Sequence, residues 1–187
     1  MSLDELQNIP KVNAPEDESL EFANEIDRYR QYAGPANLAG KRVISNELGA
    51  EIYSAFQQKL PYLLDIFKHA MSGGVNQVVI HGTPFTGNYP NTTWPGMMTF
   101  GYQFADCHSR HQPAWDDYPE FMDYMARNQF ILQTGIPRRD IVFYEKRYWF
   151  PGNTSYGETD LHEQGQSSCY DSLYVSLILV HSFRLYI

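Results

Sequence analysis

Glu47 and His81 are the side chains in this sequence whose positions best suit acid–base chemistry. Glu47 follows Val43 and Ile44, a short β-branched run typical of a buried parallel strand. His81 ends a second apolar run over residues 75–80. Where two such strands are neighbours, the carboxylate and the imidazole lie at one rim and face one pocket. The alternative is structural: Glu47 caps the next helix or pairs with a nearby Arg or Lys.

A long segment without helical or strand periodicity, residues 83–115, follows His81. An irregular stretch of this length in a compact domain is usually functional. In the sequence, its aromatic residues alternate with Asn, Asp and His. This combination suits sugar binding, because a sugar ring offers an apolar face and a rim of hydroxyls. The alternative is that individual rings only pack the loop down. The aromatic residues are Phe85, Tyr89, Trp94, Phe100, Tyr102, Phe104 and Trp115.

The elements before Glu47 are predicted to be a helix and a strand. Pro15 and the acidic residues 16–18 form a favourable helix start, because proline suits the first turn and acids suit the positive end of the dipole. Apolar residues then recur at helical spacing until the Gly-Pro pair at 34–35, which is expected to end the helix. The strand over residues 42–45 is expected to stop just before Glu47.

The elements after Glu47 continue the alternation. Two helical pieces are predicted, one around residues 52–56 and one from Pro61 to the glycine pair at 73–74. The strand at 75–80 follows, and the order helix, strand, helix, strand with short links is typical of a parallel α/β unit. The other predicted elements are a third helix over 116–135, a third strand over 140–144, and a strand or helix over 173–180.

Composition and charge limit the function classes. With 187 residues, of which 43% are hydrophobic and 15% aromatic, the chain can form a domain with a real core. The net charge of -8 argues against nucleic acid and against anionic membranes as partners, because both need clustered Lys and Arg. Neutral or cationic small ligands remain open, and the oligomeric state is not predicted.

Short motifs exclude several enzyme classes. The sequence has no GxGxxG, no P-loop, no HExxH and no GxSxG. His108 and His111 lie three residues apart, but no acidic or thiol partner has matching spacing. No metal ligand and no cofactor is therefore predicted from the motifs, and the candidates that remain are Glu47, His81 and the aromatic loop.

These residues resemble a known family. Residues 41–50, then 72–77 leading to His81 and Gly82, are similar to the last strands of the catalytic barrel in α-L-rhamnosidase-like glycoside hydrolases of family 106, particularly the fungal secreted members. The segment 115–142 is similar to the final barrel helix and the first strand of the domain that follows. The resemblance covers residues 12–165, most of the chain.

The resemblance implies a fold. It is α/β: a partial (β/α)8 (TIM) barrel comprising the last two βα units, plus the first strand of a following domain. Residues 1–136 would be the C-terminal part of the barrel, residues 137–165 the start of the following domain, and residues 166–187 a divergent tail. A piece of barrel exposes open sheet edges, so we expect marginal stability or aggregation for the chain alone.

The resemblance also implies hydrolysis of terminal rhamnosides, a carbohydrate substrate, two acidic side chains, an extracellular location and, in studied members, calcium. Glu47 carries over as the catalytic candidate, and His81, Asn88, Trp94 and Trp115 carry over as substrate-binding residues. The first ten residues lack the features of a signal peptide. The second carboxyl group is expected from an earlier strand, which predicts a fragment that is inactive alone. The alternative is a non-catalytic carbohydrate-binding or interaction fragment.

Overall fold

The computed structural model describes the backbone of residues 5–20, 25–83, 85–87, 90–91, 96–97, 104, 108–137, 141–147 and 173–180. At its centre is a parallel sheet of three strands in the order β1-β2-β3. The strands are β1 (Glu16–Glu18), β2 (Ser45–Leu48) and β3 (Gln77–Ile80). Glu18 is the register partner of Glu47, and Glu47 is the partner of Val79. Carboxyl ends of all three strands therefore lie at the same edge of the sheet.

Helices follow the strands in the expected alternation. A short helix α1 (Glu5–Asn8) and a 3-10 turn (Ile9–Lys11) precede β1. The longer helices are α2 (Ile26–Leu38), α3 (Leu60–Gly73) and α4 (Tyr118–Thr134), the last preceded by a 3-10 turn (Trp115–Asp117). Among the described residues, no helix is long and apolar enough to span a bilayer.

The three long helices share one core with one face of the sheet. Ile44 and Leu48 are about 1% exposed or less and belong to the same buried cluster as residues of α2, α3 and α4, with Val78 and Ile80 packed against it. Because side chains alternate along a strand, the intervening residues point to the opposite face. That face is mainly polar and bears Glu16, Glu18, Ser45, Glu47, Gln77 and the half-exposed Val79.

The structure corrects the prediction for residues 16–18. They form β1 rather than the start of a helix, because their backbone pairs with β2: Ser45 N donates to Pro15 O at 2.8 Å, and Ser19 N donates to Glu47 O at 2.9 Å. Tertiary pairing overrides the local helix signal here. The following helix begins at Ile26 and runs past the Gly-Pro pair to Leu38. Pro35 lies in its last turn, where few backbone hydrogen bonds are lost.

Two further expectations near Glu47 are wrong. The strand spans Ser45–Leu48, so Glu47 lies inside it, close to its carboxyl end. Residues 52–56 do not form a helix: Tyr53 and Phe56 have φ of 62° and 59°, and Ile52 forms an antiparallel bridge with Phe104. Positive φ values are incompatible with a right-handed helix.

The helix from the Pro61 region to the glycine pair is confirmed. Pro61 lies in the first turn of α3, and Gly74 ends it with a left-handed φ of 107°. The strand at 75–80 is confirmed as β3, parallel to β2. The predicted third helix is confirmed as α4.

Four further strands form two antiparallel pairs. β4 (Phe85–Thr86) pairs with β5 (Gly96–Met97), a short hairpin in the aromatic segment that the sequence did not predict. β6 (Ile141–Arg147) matches the predicted third strand. β7 (Leu173–Val180), left open between strand and helix, pairs with β6. Residues of the presumed divergent tail thus share a two-stranded sheet with the segment assigned to a following domain.

Asn76 links the lead-in segments of β2 and β3. Its side chain is buried, its Oδ1 accepts from Ile44 N at 2.8 Å, and its Nδ2 donates to Arg42 O at 3.0 Å. The backbone carbonyl of Asn76 accepts from Gln133 Nε2 at 2.7 Å. Since one side chain satisfies two backbone groups, it fixes how the two strands enter the sheet.

We expect Asn76→Ala to lower the free energy of unfolding by about 2–4 kcal/mol, because a buried backbone N–H and a carbonyl each lose a partner. Denaturant titration followed by circular dichroism measures this loss. Asn128→Ala is the matched control, since Asn128 is partly exposed and its described hydrogen bond goes to the Tyr124 carbonyl of its own helix. Equal losses for the two variants would contradict the role given to Asn76.

Candidate active site

Glu47 and His81 meet at the carboxyl ends of β2 and β3. His81 directly follows β3, and its backbone N–H donates to Leu48 O at 2.8 Å. This continued pairing carries the imidazole to Glu47, and Nδ1 lies 2.6 Å from Glu47 Oε1. The Glu47 side chain is 38% exposed and that of His81 is 10% exposed. The sequence placed both at one rim, and the structure brings them into contact.

The hydrogen bond defines a protonation pattern. An ionised carboxylate can only accept, so Nδ1 of His81 carries the shared proton when Glu47 is charged. Nε2 of a neutral His81 then has a free lone pair, and this atom is buried without a partner among the described residues. The imidazole fixes the orientation of Glu47 Oε1 and leaves the rest of its carboxylate accessible to a ligand. Within the part of the chain that the structure describes, Glu47 therefore bonds His81 instead of capping a helix or pairing with an Arg or Lys.

Glu18 is a site residue that the sequence reasoning missed. It is the register partner of Glu47 and points to the same polar face. Glu18, Glu47 and His81 each offer a donor atom, and these atoms all lie within 4.8 Å of one another. The alternation Glu16-Asp17-Glu18 could have revealed it as one face of a strand. We instead expected the second carboxyl group from an earlier strand.

The cluster matches calcium only in part. Carboxylate oxygens are ligands that calcium prefers, but the ion takes about six to eight oxygens and the described cluster supplies two carboxylates. Imidazole nitrogen suits zinc better, yet His81 Nδ1 is engaged with Glu47. The described residues therefore do not form a complete calcium site by themselves.

A second histidine lies buried behind this pair. His108 is 8% exposed, and its Nδ1 lies 2.8 Å from the hydroxyl of Tyr118, the first residue of α4. Burial, and secondarily the charge of His81, lowers the pKa of His108 to about 4. His108 is therefore neutral at neutral pH. Its Nδ1 bonds the Tyr118 hydroxyl, and the side chain of His111 contacts Ser109.

This pKa predicts a loss of stability in acid. The pKa of His108 is about 4 in the folded protein and about 6.5 when unfolded. The unfolded state therefore takes up the proton first as pH falls, and stability is lost between these values. We expect His108 to account for about 2 kcal/mol of the loss between pH 7 and pH 4.5. Denaturant titrations at both pH values measure it, compared with His108→Asn. A wild-type loss equal to that of the variant would contradict the prediction. His69→Asn is the control, because the His69 side chain on α3 is 27% exposed.

The remaining predicted site residues have separate outcomes. Trp115 is 40% exposed in the turn before α4, and its ring packs on Tyr118 with centroids 5.0 Å apart. The described contacts do not join it to Glu47. Asn88 and Trp94 lie outside the described residues. Their substrate-binding roles, and that of Trp115, stay predictions.

Comparison with known proteins supports the resemblance. Residues 11–155 match the glycoside hydrolase family 106 profile, described as alpha-L-rhamnosidase. The chain is also similar to a solved structure titled "Structure of Rhamnosidase from Novosphingobium sp. PP1Y", with a TM-score of 0.60 and 20% identity. The likeness covers 73% of this chain and 13% of that chain, and at this identity it shows the fold alone. A search of curated proteins gives no match. Because the family match extends over most of the chain, this protein belongs to the alpha-L-rhamnosidase family of glycoside hydrolases.

Proposed function

We propose that this chain supplies the acid–base carboxylate of an α-L-rhamnoside hydrolase, and that Glu47 is that group. The observation that carries the proposal is the 2.6 Å contact between Glu47 Oε1 and His81 Nδ1 at the carboxyl ends of parallel strands. A partly exposed carboxylate, oriented by a buried imidazole, can exchange a proton with a bound ligand. The proposed substrate is a carbohydrate with a terminal rhamnosyl group.

We further propose that the three-stranded sheet is part of a (β/α)8 barrel. Helices α2, α3 and α4 share a core on one face of the sheet, whereas the face with Glu18 and Glu47 is polar. Barrels have this arrangement, with helices outside, an inner face and a site at the carboxyl ends of the strands. Since the chain corresponds to 13% of the similar rhamnosidase chain, the remaining strands would come from further sequence, and the chain alone is proposed to be inactive.

His81 is proposed as a positioning residue. Its Nδ1–H donates to Glu47, which holds Oε1 in place. Glu18 lies beside Glu47 rather than opposite it, within 4.8 Å. Inverting glycosidases keep acid and base roughly 6.5–9.5 Å apart to admit water, so Glu18 does not suit that role. Its carboxylate instead adds negative charge beside Glu47.

Calcium, an extracellular location and a fungal secreted origin stay proposals that rest on the family resemblance. If calcium binds, Glu18 and Glu47 are the described carboxylates that would contribute to holding it, and it would supply positive charge near sugar hydroxyls.

A non-catalytic carbohydrate-binding role is the second candidate. The observation behind it is that the Glu18–Glu47 pair is closer than inverting enzymes require, so Glu47 has no partner for that mechanism among the described residues. Calorimetric titration with L-rhamnose and D-galactose tests binding by this chain, and no heat from either sugar would count against this role.

The test of the catalytic proposal uses a polypeptide that joins residues 11–155 to the rest of a catalytic barrel. Turnover of an aryl α-L-rhamnoside should fall strongly in Glu47→Gln and remain in Glu51→Gln. Undiminished turnover in Glu47→Gln would remove Glu47 from the mechanism.

A further inference from the structure

Ser19 connects the end of β1 to the end of β2 by two hydrogen bonds. It directly follows β1, and its backbone N–H donates to Glu47 O at 2.9 Å. Its side-chain Oγ accepts from Gly49 N at 3.2 Å. Ser19 is 4% exposed, so bulk water does not compete for these bonds. One buried residue therefore holds the backbone directly after the Glu47 side chain.

The side-chain bond of Ser19 replaces the next bond of the parallel ladder. Such bonds recur at every second residue: Ser45 N donates to Pro15 O, and Ser19 N donates to Glu47 O. Continued pairing would direct Gly49 N to Ser19 O. The Ser19 hydroxyl accepts this N–H instead. The bond therefore keeps β2 connected to β1 where β2 ends and the chain turns.

Gly49 is the residue at which the chain turns away from the sheet. Its φ of 91° is left-handed, a conformation that glycine adopts readily. Gln58 Nε2 donates to Gly49 O at 3.1 Å, so side chains bond both backbone groups of this glycine. An added Cβ would lie 2.8 Å from Leu63 Cδ1. The end of β2 is therefore fixed by two side-chain bonds and by close packing.

The peptide group between Leu48 and Gly49 relates Ser19 to the candidate active site. Leu48 O and Gly49 N belong to this one planar group. Ser19 Oγ accepts from its N–H, and its carbonyl accepts from His81 N at 2.8 Å. A rotation of this peptide would therefore move His81 relative to Glu47, whose Oε1 lies 2.6 Å from the imidazole Nδ1.

We propose that Ser19 is a positioning residue for the Glu47–His81 pair. Its hydroxyl holds the Leu48–Gly49 peptide, this peptide holds the His81 backbone, and the imidazole holds Glu47 Oε1. The part of this inference that concerns turnover rests on the proposed function, because it supposes that Glu47 exchanges a proton with the substrate.

The test compares Ser19→Ala with Ser19→Thr in this chain. Alanine removes the acceptor of Gly49 N–H, whereas threonine keeps a hydroxyl and suits a strand. We expect the ¹⁵N resonance of His81 Nδ1 to shift in Ser19→Ala and to return to its wild-type position in Ser19→Thr. A wild-type resonance in a folded Ser19→Ala variant would overturn the proposal. Ser54→Ala is the matched control, since Ser54 Oγ makes an exposed local bond to Ile52 O.

A second measurement does not depend on the folding of a variant. In the wild-type chain, the amide hydrogen of Gly49 should exchange with solvent at least about tenfold more slowly than in an unstructured peptide, because Ser19 Oγ accepts it in a buried turn. Exchange at the unprotected rate would show that this bond does not persist in solution and would overturn the proposal.

Turnover gives a third measurement, in the polypeptide that completes the barrel. Ser19→Ala should lower kcat for an aryl α-L-rhamnoside about 10–10²-fold and change KM much less, because a misplaced catalytic group slows the reaction step. Ser19→Thr and Ser54→Ala should keep wild-type turnover. Wild-type kcat in Ser19→Ala, where Glu47→Gln is inactive, would contradict the positioning role.

Failure of the catalytic proposal gives a different result. Full turnover in Glu47→Gln, together with a shifted His81 resonance in Ser19→Ala, would reject Glu47 as the acid–base group and retain Ser19 as a positioning residue. Loss of turnover in Glu47→Gln with a wild-type resonance in Ser19→Ala would do the reverse.

Discussion

Gly73→Ala is expected to lower the free energy of unfolding by about 3 kcal/mol, among the larger effects of a single added methyl group. Gly73 is the last residue of α3 and is buried where this helix crosses α2. A Cβ at this position would overlap Tyr29 Cβ and lie 3.0 Å from Ile26 O. Both obstacles are close to rigid backbone, so no side-chain rotation relieves them.

We expect α2 and α3 to move apart, which would relieve the overlap between the added methyl group and Tyr29. Tyr29 is fully buried at this crossing, and moving the helices apart would loosen its packing. Because α2 also packs against Ile44 and Leu48, the strain would reach the sheet that carries Glu47. Denaturant titration measures the loss of stability.

Gly135→Ala is the matched control for Gly73→Ala. A Cβ on Gly135 would have its nearest neighbour, Ile131 O, at 3.6 Å, which is ordinary contact. Its φ of -73° suits any residue. We expect this variant to be unchanged or up to about 1 kcal/mol more stable, because alanine restricts the unfolded chain. A Gly73→Ala variant as stable as Gly135→Ala would show that α2 and α3 do not cross this closely.

The sequence predicted the parts of the fold that local patterns determine. Pro61 and the glycine pair at 73–74 mark the ends of α3 because proline and glycine act through their own backbone preferences. The apolar run at 75–80 similarly indicates β3. These signals lie within a few residues of the element they define, so no tertiary information was needed.

Residues 16–18 show where local patterns failed. Three acidic residues after a proline favour a helix start, yet pairing with residues 45–47, far along the chain, makes them a strand. Because residues 16–18 were predicted as a helix start, Glu18 was not expected beside Glu47. The proximity of Gln58 and His108 was equally inaccessible, because these residues meet only through the fold around Gly49.

Glu47→Gln is expected to lower kcat for an α-L-rhamnoside by about 10²–10⁴-fold in a polypeptide that completes the barrel, the range that general acid–base catalysis usually contributes. Glutamine keeps the size of the side chain and can still accept from His81 Nδ1, but it cannot exchange a proton. KM should therefore change much less than kcat. Stability should also change little, since the Glu47 side chain is 38% exposed.

Glu51→Gln is the control for this variant. Glu51 lies four residues further along and makes no described contact with His81, so its replacement should leave kcat near the wild-type value. His81→Gln should give an intermediate loss and an altered pH profile, because it removes the imidazole that orients the carboxylate while leaving the carboxylate in place.

The most direct test of the account is the ratio of kcat between the wild type and Glu47→Gln, with the Glu51→Gln ratio as reference. We expect a loss of at least about 10²-fold for Glu47→Gln and none for Glu51→Gln. Equal turnover in the wild type and Glu47→Gln would show that the carboxylate beside His81 takes no part in hydrolysis.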